Sequence, residues 1–274
     1  MPVIRINGTE FNYEIEGEGP ETIVLVNGLA DDLATWSAQV PDFVAAGYRV
    51  FRFDNRNIGK AGRLRRFYTT ELLAKDAKAL LEHLRIVDFH LVGASMGGMI
   101  AQEYALAHAR DLRSLTLACT YAAPGPFCTR LFEFWEDIAR KMGVAAAMRA
   151  VTLWAFSQDY FEQEAQVRAF ESSGPEQSVE AYLAHLHAIR SHDARARLKT
   201  LRVPTLVLAG IEDVLIPMNL SKALGALIPG AEFIAARGGH TLLWEHPKLF
   251  NQSVLNFIGK HRPVSRLRLA GGGR

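Results

Sequence analysis

Cysteine is nearly absent: Cys119 and Cys128 are the only two in 274 residues. Two thiols make no disulfide framework, so the chain must be held by its core, and a reducing, cytoplasmic compartment is expected. Cys119 ends an apolar run and reads as a small core residue. Nothing beside Cys128 in the sequence would activate it as a thiolate. Excess charge of one sign is also missing. Lys and Arg number 31 against 29 Asp and Glu, a formal net charge of +2, which argues against a nucleic-acid or acidic-surface partner. No apolar run approaches the length of a membrane span. The first eight residues lack a charged segment leading into a long apolar one, so no secretory leader is expected. There is no internal repeat, and low complexity is confined to Gly271-Gly272-Gly273. The last residues, 263–274, carry several arginines and read as a flexible tail.

What is present is an ordinary globular composition, 49% hydrophobic and 22% charged, in a length suited to one large domain or a domain with an insertion. A hairpin is expected over 3–6 and 10–15, turning at Asn7-Gly8. The continuous apolar run 22–26 suits a buried parallel strand. A helix over 33–45 follows, then strand 49–53, helix 70–84, strand 89–92, helix 96–108 and strand 112–117. This alternation predicts an α/β fold, a mostly parallel, doubly wound sheet of about eight strands. From Pro124 to about Leu198 the pattern becomes helix after helix, rich in aromatics. Strands resume at 204–209 and 231–235, and a helix over 248–258 closes the pattern. The expected domains are therefore a core of 1–123 and 199–262 and a helical cap of 124–198. Because ligands in such sheets sit beyond the carboxyl ends of the strands, the cap would roof the site.

Gly93-Ala94-Ser95-Met96-Gly97 lies between a predicted strand and a predicted helix. A serine on so tight a turn needs neighbours without side chains two positions away on each side. The five-residue pattern alone arises by chance in roughly one chain of this length in ten; its context and downstream partners give it weight. A serine hydroxyl needs a base, and the base needs an orienting group. Asp213 follows one predicted strand and His240 the next, both beyond carboxyl ends. Ser95, Asp213 and His240 are thus candidate nucleophile, orienter and base. Glu212 is the competing acid. Backbone N–H groups of Met96 and Leu29 are the candidate oxyanion donors, Gly28 letting the chain turn inward beside Leu29. Candidate substrate contacts are Asn27, Trp154, Arg190 and Trp244, with Arg190 also readable as a solvated or ion-paired arginine. His185 and His187 are two apart and leave a helix on different sides, so no metal pair is expected.

Val26-Asn27-Gly28, Phe53-Asp54-Asn55-Arg56, Gly93 to Gly98, Gly210 to Pro217 and Gly239 to Pro247 together resemble the α/β-hydrolase superfamily, across nearly the whole chain. The similarity is strongest to small bacterial members such as 3-oxoadipate enol-lactonases and aclacinomycin-type methyl esterases. That resemblance implies hydrolysis of a small-molecule ester or lactone through an acyl-enzyme, with no metal or organic cofactor. Two departures stand out. Asn27-Gly28 replaces the usual His-Gly, which keeps the backbone donor and changes the side-chain bonds. The loop from Asp54 to Lys60 replaces an Arg-Gly-x-Gly-Ser pattern and reads as structural support for the site floor. Alternatives are a carbon–carbon bond hydrolase of vinylogous diketones, compatible with Trp244-Glu245, and a ligand-binding relative with little turnover. A homodimer is left open.

Overall fold

Asn7 and Gly8 both take positive φ, 52° and 74°, the mirror-image turn that suits the twist of a two-residue hairpin. They join strand β1 (Val3–Ile6) to β2 (Thr9–Glu16). A computed structural model describes residues 2–58 and 67–261. The tail assigned to 263–274, and Gly59 and Lys60 of the predicted support loop, lie outside the described residues.

Eight strands form one sheet in the order β1-β2-β4-β3-β5-β6-β7-β8. β2 runs antiparallel to β1 and β4. The pairings among β3 (Thr22–Val26), β4 (Arg49–Phe53), β5 (Phe89–Ala94), β6 (Leu112–Ala118), β7 (Thr205–Gly210) and β8 (Glu232–Ala236) are all parallel. Strands β3, β5 and β7 are buried along their whole length because both faces are covered. Val24 and Val26 enter one core while Ile23 and Leu25 enter the other; Leu91 and Val92 divide the same way.

The predicted helix over 33–45 is instead two pieces. Leu33–Trp36 forms a short 3-10 turn, and α1 (Val40–Ala45) begins only at Val40, with Pro41 in its first turn. Proline lacks the N–H that a continuous helix would require there, but suits a helix start. Helices α2 (Thr70–His83) and α3 (Met96–His108) lie against one sheet face.

After β6 come α4 (Pro126–Met142), α5 (Val144–Ala155), α6 (Glu164–Ser173) and α7 (Val179–Ser191). The buried residues of α4 (Cys128, Leu131, Phe132, Trp135 and Ala139) follow helical spacing, one apolar stripe turned inward. The two ends of this insertion meet, with Ala194 N–H donating to Ala122 O at 2.9 Å. The short α8 (Arg195–Leu198) then packs against α3 and against α9 (Met218–Leu227), which follows β7. After β8, α10 (Leu242–Glu245) leads into α11 (Pro247–Gly259), which covers the sheet face shared with α1. No described helix is long and apolar enough to cross a membrane.

Candidate active site

Ser95 occupies the turn between β5 and α3 with φ 54° and ψ −120°, a conformation costing a non-glycine residue roughly 1–3 kcal/mol. The surroundings hold it there. Its N–H donates to Ala118 O at 2.9 Å, and its carbonyl accepts from Gly98 N at 2.9 Å and Thr120 Oγ1 at 2.8 Å. A Cβ at Gly93 would strike the backbone of Gly97, and one at Gly97 would strike the carbonyls of Val26 and Asn27. Met96 opens α3, so its N–H lies in the first turn, where a helix supplies no acceptor of its own.

Asp213 lies just past β7, buried, with Oδ1 accepting from Ile216 N at 2.7 Å and Oδ2 bonded to His240 Nδ1 at 2.9 Å. An ionised carboxylate only accepts, so Nδ1 carries the proton and Nε2 is left as an acceptor. His240, just past β8, lines the same cavity as Ser95. Glu212 is exposed, and the aspartate beside it is the one bonded to the imidazole.

Leu29 also lines this cavity. A Cβ on the preceding Gly28 would come 3.5 Å from Ser95 Cβ, so the loop passes close over the elbow. Asn27 Nδ2 donates to Phe53 O at 2.9 Å and its Oδ1 accepts from Trp36 Nε1 at 2.8 Å. Its side chain therefore braces the loop and does not reach a ligand. The segment 54–57 adds to that brace. Asp54 Oδ1 accepts from Leu33 N at 2.7 Å, Asn55 Nδ2 donates to Asn27 O at 3.3 Å, and Arg56 forms a buried pair with Asp76. Burial pushes the Asp54 carboxyl up to about 6.

The cavity over Ser95 measures about 60 Å³ and is walled mainly by Phe132, Trp135, Val151, Ile189 and Leu215. A second chamber of about 270 Å³ adjoins it, sharing Asp31, Thr35, Met148, Phe170 and Trp244. Helices α4 to α7 thus supply much of the inner wall. Trp244 is fixed by its Nε1, which donates to Thr35 O at 2.7 Å. Trp154 is not brought to either chamber; it packs on Phe127 with ring centroids 5.8 Å apart. Nor is Arg190, which pairs with Glu136 at 2.7 Å and Glu133 at 3.4 Å. Arg190 on α7 is thus held by the carboxylates of the neighbouring α4. Both thiols are buried, and burial pushes Cys128 up to about 11.

Of two further carboxyl groups near the site, Asp31 escaped the sequence reading, and Glu245 was singled out there only as part of the Trp244-Glu245 pair. Asp31 lines both chambers, and enclosure in the wall pushes its pKa up to about 7 despite the nearby His240. The available signal was the doubled acid Asp31-Asp32, of which one, Asp32, caps the following turn through Ala34 N at 2.8 Å. Glu245 sits five residues after His240 and bonds to both its neighbours.

A family profile described as alpha/beta hydrolase fold matches residues 21–247. The chain is 30% identical to the proposed carbamate hydrolase RutD of Azorhizobium caulinodans, over 95% of this chain and 99% of that one. It is 29% identical to a 2-hydroxy-6-oxononadienedioate/2-hydroxy-6-oxononatrienedioate hydrolase of Cupriavidus pinatubonensis, over 93% of each. Among solved structures, an enol-lactonase from Burkholderia xenovorans superposes with a TM-score of 0.88 at 30% identity, covering 94% of this chain and 100% of that one.

Proposed function

The chain belongs to the α/β-hydrolase family, and we propose that it is a serine hydrolase cleaving a small carboxylic ester or lactone through an acyl-enzyme. The observation that carries this reading is the Asp213–His240 bond of 2.9 Å beside a cavity that His240 shares with the strained Ser95. His240 Nε2 takes the Ser95 proton as Oγ attacks the acyl carbon, then returns it to the leaving oxygen. Asp213 fixes the tautomer and stabilises the imidazolium. The N–H groups of Met96 and Leu29 receive the negative charge on the former carbonyl oxygen. Water then repeats the sequence on the acyl-enzyme. Helices α4 to α7 act as the cap, excluding water from the small inner chamber.

The size and apolar walls of that chamber favour a short, uncharged acyl group. The wider outer chamber, with Asp31 at its junction, takes the leaving group. The same machinery would serve a carbamate, the substrate class in the name of the Azorhizobium relative, since its carbonyl is attacked in the same way.

A panel of p-nitrophenyl esters tests the reading. Acetate and propionate esters are expected to be turned over with kcat/KM at least tenfold above the octanoate ester. Ser95→Ala is expected to abolish turnover, and a fluorophosphonate is expected to label Ser95 alone. Turnover undiminished in Ser95→Ala would remove the proposal.

A further inference from the structure

One carboxylate, Glu245, ties together the segment that carries His240 and the helical insertion. Its Oε1 accepts from Gly239 N at 3.1 Å, Thr241 Oγ1 at 2.7 Å and Ser157 N at 3.1 Å. Its Oε2 accepts from Ser157 Oγ. Gly239 and Thr241 are the residues on either side of His240, and Ser157 lies two residues past the end of α5. A carboxylate has no proton of its own to place, so it can receive all four donors at once. Such charge-assisted bonds are about twice as strong as neutral ones.

The rest of the contact points the same way. Thr241 N–H donates to Ala155 O at 3.2 Å. Thr241 Oγ1 lies 3.2 Å from the same carbonyl and 2.7 Å from Glu245; its single proton goes to the nearer, charged acceptor. A Cβ on Gly239 would stand 2.6 Å from Ala155 O and 2.7 Å from Ser157 N. The catalytic segment is therefore pressed against residues 155–157 with no room for a side chain between them.

We propose that Glu245 is a positioning residue for His240, fixing the imidazole between Asp213 and Ser95 only while the insertion is seated on the sheet domain. The role rests on reading His240 as the base. Removing the carboxylate strands Gly239 N–H, Ser157 N–H and the Ser157 hydroxyl in a mostly buried place, leaves Thr241 Oγ1 only the Ala155 carbonyl, and the segment relaxes to satisfy them. A shift of about 1 Å in a catalytic group costs on the order of 100-fold in rate. The loss falls on proton transfer, because Glu245 lines neither chamber.

The test uses the full chain with p-nitrophenyl acetate, reading the pre-steady-state burst rate, KM and the low-field NMR signal of the His240 Nδ1 proton. Glu245→Ala is expected to slow the burst about 100-fold with KM within about threefold, and to broaden or abolish the low-field signal. Glu245→Gln keeps an oxygen where Oε1 stands and an amide that donates to Ser157 Oγ. It is expected to recover the burst to within about tenfold of wild type. Should Glu245→Ala fail to fold, Ser157→Ala carries the test, with an expected loss of about tenfold in burst rate and little change in KM. A wild-type burst rate and intact signal in folded Glu245→Ala, or in Ser157→Ala where the former does not fold, would overturn the role. Ser95→Ala run alongside separates the two claims. Turnover that survives Ser95→Ala defeats the serine mechanism, whereas Ser95-dependent turnover indifferent to Glu245 and Ser157 defeats only the positioning role.

Discussion

Asp213 gives one oxygen to His240 Nδ1 and the other to the Ile216 N–H, at 2.9 Å and 2.7 Å. The backbone bond locks the carboxylate plane, and the plane in turn sets the imidazole. An amide in place of this carboxylate could keep only one of those bonds in its present sense.

Asp213→Asn is therefore expected to lower kcat by about 10³–10⁴ with the fold intact, through the wrong imidazole tautomer. Glu212→Gln, altering an exposed side chain, is expected to stay within about twofold of wild type. Steady-state kinetics on a p-nitrophenyl ester, with circular dichroism as the folding control, decides between them.

Gly97→Ala is expected to destabilise the protein strongly, by about 3 kcal/mol or more, because the new methyl meets the backbone carbonyls of Val26 and Asn27 and no movable side chain. Gly143→Ala, at φ 87° but with nothing within 4 Å, is expected to cost about 1–3 kcal/mol through backbone strain alone. Urea denaturation midpoints of the two variants provide the comparison.

Arg56 and Asp76 form a buried ion pair through two guanidinium nitrogens, with side chains only 4% and 3% exposed. Asp76→Ala leaves the arginine uncompensated, at an expected cost of about 3–5 kcal/mol. The loop holding Arg56 braces Asn27 and Leu33. Ester turnover by the fraction that remains folded should therefore fall as well, measurable at low temperature where the variant persists.

Stability should depend on pH from both sides. Burial lowers His185 and His192 from 6.5 to about 4. Between those values the unfolded chain binds protons that the folded one refuses, so their contribution is full above pH 6.5 and is lost as pH falls toward 4. Asp31 works in the opposite direction. Its folded value is raised from 3.8 to about 7, so the folded chain holds a proton the unfolded one sheds, and stability declines as pH rises through that window. Asp31→Asn is expected to raise Tm more at pH 8 than at pH 5, in differential scanning fluorimetry. A Tm gain that is equal at both pH values would contradict the assignment.

The sequence disclosed what depends on chain neighbours. The Ser95 turn was legible because Gly93 and Gly97 sit two residues away. Strands β5, β7 and β8 were legible from apolar runs whose carboxyl ends carry Ser95, Asp213 and His240. Partner choice across long separations was not legible. Arg190 meets Glu136 54 positions away, and Trp154 turns to Phe127, since either side chain had several destinations compatible with helical spacing. The helix expected over 33–45 is broken because Pro41 has no N–H to continue it and starts a new helix instead. The bonds of Glu245 were not legible for a related reason: its four donors come together only once residues 155–157 lie against 239–241. The change of pattern near Pro124 marks where α4 begins.

The bond from Ala194 to Ala122 brings the entrance and exit of a stretch of some seventy residues to within one peptide's reach. The stretch thus leaves and rejoins the sheet domain at one place, and away from its ends it meets residues 239–245 through Ala155 and Ser157. A laboratory graft from a relative is therefore expected to exchange the whole stretch without rethreading the strands. The graft succeeds only where the incoming piece offers paired backbone and hydroxyl donors at the place of Ser157, so the same carboxylate that steadies the histidine also vets its replacement roofs.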